Sequence, residues 1–254
     1  MVKANTQTLK QGLPLSYKLD TLPSLQRHWL LRNSNIPSRF LGIEFSDLNA
    51  KCPKEVDEWL SEMLSGSVIK QVGGLGLTGV GLLLDGGPGL GKTTMAVISA
   101  MEFVRRLPND EIKSKSVLKY SKTDDYGMLS RPIYYLTYPE FLSLKKSNFD
   151  AEPDEKRETN RVIEGLHGRA KEDWLNVRLL ILDDLGKEYG SKYDDTSFDE
   201  ILRSRYDRAL PTIVTTNVML ENWGSQYSKA MESFGNEAFV RVRLNNQDLR
   251  RARA

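Results

Sequence analysis

Apolar and polar positions along this chain recur with two periods, and together they lay out strands alternating with helices. From about Pro53 to Leu64, Val56, Trp59, Leu60, Met63 and Leu64 repeat at i, i+3, i+4, i+7 and i+8. That is the stripe of an amphipathic helix, and Pro53 suits its first turn. Val80 to Leu84 is a continuous apolar run and predicts a buried strand. The largely apolar stretch from Met95 to Val104 predicts a helix after it. Ile133 to Leu136 reads as a second strand, and Thr137-Tyr138-Pro139-Glu140 as a capping box that opens a helix. Over 150–174 the chain is highly charged, with Val162, Ile163, Leu166, Ala170 and Trp174 on one face, which predicts a solvated amphipathic helix. Val177 to Leu182 is a third buried strand. A helix from Asp199 to Leu210 turns Ile201, Leu202 and Tyr206 inward, with Ser197 and Glu200 as its cap and Pro211 as its stop. Thr212 to Thr216 is a β-branched strand, and Glu221 to Phe234 a helix. Phe239 to Leu244 alternates apolar and basic residues, as an edge-like final strand does. This order predicts an α/β fold of three layers around a mostly parallel five-stranded sheet, with no separate C-terminal lid domain.

The remaining segments set the domain plan. Residues 1–35 form a short leader in which only Leu25 to Leu31 looks helical, and residues 36–254 form one domain. Gly73 to Gly81 leads into the first sheet strand. Residues 108–131 are polar and aperiodic, and predict a surface insertion. The net charge of +2 excludes a chain-wide basic coat for nucleic acid, so any such contact must use local patches. Lys145, Lys146, Lys156, Arg157, Arg161, Arg169 and Lys171 form one candidate patch, with Phe141, Phe149 and Trp174 nearby. Interleaved acids favour a solvated face instead. The C-terminal Arg250-Arg251-Ala252-Arg253 is a second basic stretch. The lone Cys52 excludes an intrachain disulfide and a multi-cysteine zinc site, and His28 and His167 stand isolated. No apolar run is long enough to span a bilayer and no signal peptide is evident, so the expectation is a soluble cytoplasmic protein without membrane contact.

The chemistry concentrates at strand ends. Gly86-Gly87-Pro88-Gly89-Leu90-Gly91-Lys92-Thr93 fits G-x-x-x-x-G-K-[ST], the phosphate-binding P-loop, between a predicted strand and a predicted helix. Glycines let backbone N–H groups turn toward phosphate, and the helix N-terminus adds partial positive charge. Residues Gly86 to Thr94 would hold ATP, with Lys92 on the β- and γ-phosphates and Thr93 on Mg²⁺. Leu179-Leu180-Ile181-Leu182-Asp183-Asp184 has the form of a Walker B strand. A parallel sheet binds its ligand at the carboxyl ends of its strands, so Asp183 would hold Mg²⁺ and Asp184 would orient or deprotonate a water. Thr215-Thr216-Asn217 closes the next strand, where an amide can touch the γ-phosphate or the water, the role called sensor 1.

Three blocks carry a resemblance to a family. They are Asp183-Asp184-Leu185-Gly186-Lys187-Glu188, Ile201-Leu202-Arg203-Ser204-Arg205-Tyr206, and Leu210-Pro211-Thr212-Ile213-Val214-Thr215-Thr216-Asn217. They resemble the DnaC/IstB group of AAA+ ATPases. Ile36-Pro37-Ser38-Arg39-Phe40 and Phe45-Ser46-Asp47-Leu48 are similar to the segment before the core of DnaC-type helicase loaders, most like those of bacteriophages. The resemblance covers roughly residues 35–250. It implies an AAA+ P-loop NTPase that hydrolyses ATP with Mg²⁺, associates side by side, engages single-stranded DNA and delivers a replicative helicase to it. Trp29-Leu30-Leu31 would then contact the helicase or pack on the core. An IstB-like helper of transposition shares the same core, and a P-loop small-molecule kinase is a more distant alternative. The chain departs from the family in its short leader, its 108–131 insertion, and Asp184 where many relatives carry Glu. An arginine finger is also unassigned, with Arg205, Lys229 and Arg241 as candidates; Arg205 reads equally as a surface salt bridge on its helix.

Overall fold

Five strands, each parallel to its neighbours, form the sheet at the centre of the molecule in the order β4-β5-β6-β3-β7. They are β3 (Gly81–Gly86), β4 (Arg131–Thr137), β5 (Val177–Leu185), β6 (Thr212–Thr216) and β7 (Phe239–Leu244). The computed structural model describes residues 34–48, 52–65, 69–72, 76–106, 131–171, 175–186 and 192–244. β3 and β6 are buried along their whole length, which is why they read as unbroken apolar or β-branched runs rather than alternating ones.

The helices are α1 (Lys54–Ser65), α2 (Lys92–Arg106), α3 (Tyr138–Ser147), α4 (Pro153–His167), α5 (Lys192–Tyr206), α6 (Trp223–Gln226) and α7 (Lys229–Ala238). α2 runs from the end of β3 across the sheet and touches β3, β4, β5 and β6. Ten of its residues are buried, from Lys92 through Val104, so it is a core helix. α1 lies on α2 and β7, and Trp59 Nε1 donates to the carbonyl of Val80 (3.0 Å), pinning the helix beside the start of β3. α3 packs on β4 and β5, and α4 on β5 and α5. Thr137 caps α3 in the predicted box: its hydroxyl accepts from the Glu140 N–H, and Glu140 Oε2 accepts from the Thr137 N–H.

Four elements differ from the sequence reading. β1 (Ile69–Val72) and β2 (Gly76–Gly79) form an antiparallel hairpin inside what reads as a glycine-rich approach to β3. α4 ends at His167 instead of continuing to 174, because Gly168 adopts a left-handed φ of 74° and its N–H closes on Glu164 and Gly165. α5 begins at Lys192, ahead of Asp199. Ser197 is buried within it rather than capping it, and Asp194 and Asp195 occupy its first turn. The helix expected over 221–234 breaks into a 3₁₀ turn at Leu220–Asn222, then α6 and α7, with Ser228 capping α7 through the Met231 N–H. The leader, Trp29-Leu30-Leu31, the 108–131 insertion up to residue 130, Trp174 and the C-terminal arginines lie outside the described residues.

Arg205 is neither a surface ion pair nor a finger. It is fully buried, and all five of its N–H donors are used. Nε binds Thr212 Oγ1 (2.8 Å), Nη1 the carbonyls of Leu166 (2.7 Å) and Val177 (3.0 Å), and Nη2 those of Arg178 (3.1 Å) and Pro211 (3.0 Å). One guanidinium thus joins the end of α4 to the starts of β5 and β6.

Candidate nucleotide site

β3 turns into α2 through Gly86 to Gly91, and the backbone there needs glycine. Gly89 and Gly91 sit at φ of 83° and 81°, and Gly86 at 150°. A Cβ on Gly86 would lie 2.4 Å from the carbonyl oxygen of Leu244 on β7, so only glycine lets the loop leave the sheet beside its edge strand. Gly87, Pro88 and Leu90 complete the turn, and Thr94 follows in the first turn of α2.

Lys92 is largely buried and its ammonium is fixed. Nζ donates to the carbonyls of Gly86 (2.8 Å) and Gly87 (2.6 Å) and to Oδ1 of Asn217 (2.8 Å). That leaves the Asn217 NH₂ as a donor beyond the end of β6. Thr93 donates its hydroxyl to Asp183 Oδ1 (2.9 Å) and Oδ2 (3.0 Å). Two hydrogen-bonded pairs, Lys92 with Asn217 and Thr93 with Asp183, are thereby brought together through consecutive residues at the carboxyl ends of β3, β5 and β6.

Two members of the cluster escaped the sequence reading. Tyr135 on β4 donates to Asp183 Oδ2 (2.7 Å), and Thr215 on β6 donates to Oδ1. Burial and the Asp183 charge push the Tyr135 phenol far above its ordinary pKa, so it stays a donor. Their signal was adjacency alone. Tyr135 pairs with Ile181 in the β4–β5 register, and Thr215 stands two residues before Asn217. Asp184 follows at a left-handed φ of 61°, where the β5–β6 register shifts between Leu182 and Leu185. Its N–H donates to Thr215 Oγ1 (3.0 Å). The chain bends at Asp184 so that consecutive carboxylates differ in setting: Asp183 is buried, Asp184 half-buried.

The donor set suits a magnesium–phosphate ligand. Thr93 and Asp183 offer hard oxygens of the kind Mg²⁺ takes, beside a fixed cation and the N-terminus of a 15-residue helix. No group of three or more His, Cys, Asp or Glu side chains placed to hold a metal occurs among the described residues, so a metal here would rest on Asp183, Thr93 and the phosphates themselves.

The remaining finger candidates also find places. Arg241 lies on strand β7, not on a helix, and is paired within this chain to Asp85 and Glu221. Lys229 is the first residue of α7 and is exposed; α7 carries no arginine.

Comparison with solved structures places the architecture. DnaI matches with a TM-score of 0.53 at 21% identity, over 84% of this chain and 96% of that one. The DnaC helicase loader matches with a TM-score of 0.51 at 18% identity, over 82% and 100%. Domain III of the Thermotoga maritima replication initiation protein DnaA matches at 0.50 and 16% identity, over 80% and 66%. The fold is the α/β fold that DnaI and the DnaC helicase loader share. No protein-family model matches the sequence, and no curated protein sequence matches it. In that fold β3 lies next to the edge strand β7, and the Asp183 strand β5 lies two places away.

The charged segment beyond α3 offers a second surface. Most cations of the charged segment are paired within the chain: Lys145 and Arg169 with Glu200, Lys146 with Asp194, Arg157 with Asp154 and Arg161 with Glu158. That pairing is what a solvated, charge-interleaved face makes. Phe149, however, is 65% exposed, with its ring 5.9 Å from that of Tyr193. Lys145 and Lys146 hold their ammonium groups 5.6 and 5.8 Å from the Tyr193 ring. Among the described residues no helix is long and apolar enough to cross a membrane.

Proposed function

We propose that this protein binds and hydrolyses ATP with Mg²⁺ and uses the cycle to load a replicative helicase onto single-stranded DNA. One observation carries the ATPase part: the consecutive residues Lys92 and Thr93 at the start of α2 hydrogen-bond to Asn217 and Asp183, at the ends of two further strands. In this reading residues Gly86 to Thr94 wrap the phosphates, and Lys92 neutralises their charge from its seat on Gly86 and Gly87. Thr93 and Asp183 hold the metal, which when bound screens the phosphates and orients them for attack. Asn217 and Asp184 position the water, and Asp184 takes its proton. Tyr135 and Thr215 keep the Asp183 carboxylate aimed at the P-loop. Catalysis is mostly positioning and charge neutralisation.

The loader part draws support from the shared fold with DnaI and the DnaC helicase loader and from the Ile36-to-Leu48 blocks. Phe149 and Tyr193, with Lys146 beside them, have the makeup of a stacking platform for unpaired bases. Side-by-side self-association belongs to the same proposal.

Light scattering of this protein with a replicative helicase, in ATP, in ADP and with Lys92→Ala, tests the reading. A complex of defined stoichiometry that responds to nucleotide is expected. No complex in any state would remove the loader function and turn attention to a transposase as partner, the IstB-like alternative.

A further inference from the structure

The end of β3 carries a charge that nucleotide binding by a P-loop does not call for. Asp85 immediately precedes Gly86, and its side chain is completely buried. A buried anion needs a strong reason, since an apolar residue of similar size would fill the same space without desolvation cost. Its compensation comes from the edge strand. β7 runs parallel to β3 with Arg241 opposite Leu83 and Arg243 opposite Asp85, so both arginines share the Asp85 face. Arg241 Nε donates to Asp85 Oδ2 (2.8 Å), and Nη2 binds the same oxygen. Oδ1 has no hydrogen-bond partner among the described residues; Arg243 Nε stands 3.9 Å away.

The same guanidinium reaches in a second direction. Arg241 Nη1 and Nη2 donate to the two oxygens of Glu221 at 2.6 Å each, and Arg243 Nη2 adds bonds of 2.8 and 2.9 Å to that carboxylate. Glu221 lies in the 3₁₀ turn Leu220–Asn222, four residues beyond Asn217. Gly86, one residue beyond Asp85, and Asn217 are the two places where Lys92 is anchored across separate strands. The Asp85–Arg241–Glu221 chain therefore makes a second bridge between the two segments that Lys92 joins.

We propose that Arg241 is a positioning residue for the nucleotide site. It cancels the Asp85 charge at the root of the P-loop and clamps the P-loop strand to the segment following Asn217. With Arg241 gone, Asp85 loses its hydrogen-bonded cation and keeps only Arg243 at 3.9 Å, next to the phosphate cradle. Its charge then opposes the incoming phosphates. This rests on the reading of the cluster as a nucleotide site, and the experiment separates the two.

Hydrogen exchange of the full chain without nucleotide tests the positioning directly. Arg241→Met speeds amide exchange over 86–91 and 217–222 by at least about tenfold, while exchange in the middle of β5 stays as in the wild type. Asp85→Asn added to Arg241→Met restores slow exchange at 86–91. Glu221→Gln, which alters only an exposed group, speeds 217–222 and leaves 86–91 slow, so the test survives if Arg241→Met alone folds poorly. Titration with a fluorescent ATP analogue and Mg²⁺ gives the second readout. Arg241→Met weakens binding by about tenfold or more, and the double variant recovers most of it. A merely structural Arg241 would lower the melting temperature but leave the local exchange pattern and the affinity unchanged, and that result overturns the proposal. Wild-type protein that fails to bind the analogue would overturn the nucleotide reading instead, leaving the exchange pattern to decide the role of Arg241.

Discussion

The two ends of β5 and β6 each bury a full charge, and they do so in opposite ways. At the amino ends Arg205 spends all five donors on four backbone carbonyls and the Thr212 hydroxyl. At the carboxyl ends Asp183 is held by three side-chain hydroxyls, from Thr93, Thr215 and Tyr135. Carbonyls fixed in strands and helix ends cannot be exchanged for another ligand without unravelling the backbone. Hydroxyls can rotate, and Thr93 can share its oxygen with a metal. Equal burial thus marks a structural charge at one end and an adaptable one at the other, which is the division an open parallel sheet makes between its two edges.

Breaking the Arg205 end has the largest expected effect. Arg205→Met strands four carbonyls and a hydroxyl among buried groups, and should cost about 3–5 kcal/mol of stability. For a domain of this size that lowers the melting temperature by about 10 °C or more. Burial already pulls the Arg205 pKa down to about 9, yet a guanidinium saturated by acceptors stays charged. Arg205→Lys should recover little, because three donors on one nitrogen cannot reproduce the fork. Thermal melts by circular dichroism decide it.

Breaking the Asp183 end should leave the fold and remove the chemistry. Asp183→Asn keeps acceptor and shape but loses the charge that would hold the metal. ATP turnover should fall by about 10²–10³-fold while the melting temperature changes by only a few degrees. A variant that unfolds, or one that turns over ATP normally, would erase the contrast between the two ends.

The contrast also explains which residues were legible in the sequence. Gly86 to Thr93, Asp183 and Asn217 are short motifs fixed to strand ends, so their positions follow once the strands are found. Arg205 is not of that kind. Its register, four residues after Ile201 and three after Leu202, is on the inward face, but a charged side chain reads as a surface ion pair, and the acceptors that settle it come from Leu166, Val177, Arg178 and Pro211, far apart in the chain. Only the tertiary packing that stacks α4, β5 and β6 reveals it. Arg241 is similar: its partners Asp85 and Glu221 lie 156 and 20 residues away. The early start of α5 was hidden because Asp194, Asp195 and Ser197 read as a polar loop, although Asp194 and Ser197 are buried. The β1–β2 hairpin was hidden by its glycines, which weaken any strand pattern.

A smaller effect sharpens the structural end. His167 ends α4 near Arg205 and is fully buried with neither ring nitrogen hydrogen-bonded among the described residues. Burial first, and the Arg169 charge second, lower its pKa to about 3 from an ordinary 6.5. The folded state therefore requires a neutral ring. This stability is complete above about pH 7 and is lost as the pH falls from 6.5 toward 3. The loss reaches about 2 kcal/mol by pH 5. His167→Leu should flatten that limb, as denaturant titrations at pH 5 and 7.5 would register.

The smallest effect concerns the surface outside both ends. Phe149→Ala should weaken binding of single-stranded oligonucleotides by about tenfold, with no change in melting temperature. Fluorescence anisotropy in low and moderate salt checks it; an unchanged affinity would remove the Phe149–Tyr193 platform from the account.

The central claim is that the carboxyl ends of β3, β5 and β6 form the nucleotide site. Calorimetric titration of Mg²⁺-ATP into the wild type, Lys92→Ala and Arg205→Lys tests it most directly. Saturable binding to the wild type is expected, with its loss in Lys92→Ala while that variant still folds, and its retention in whatever fraction of Arg205→Lys stays folded. Equal binding to wild type and Lys92→Ala would contradict it.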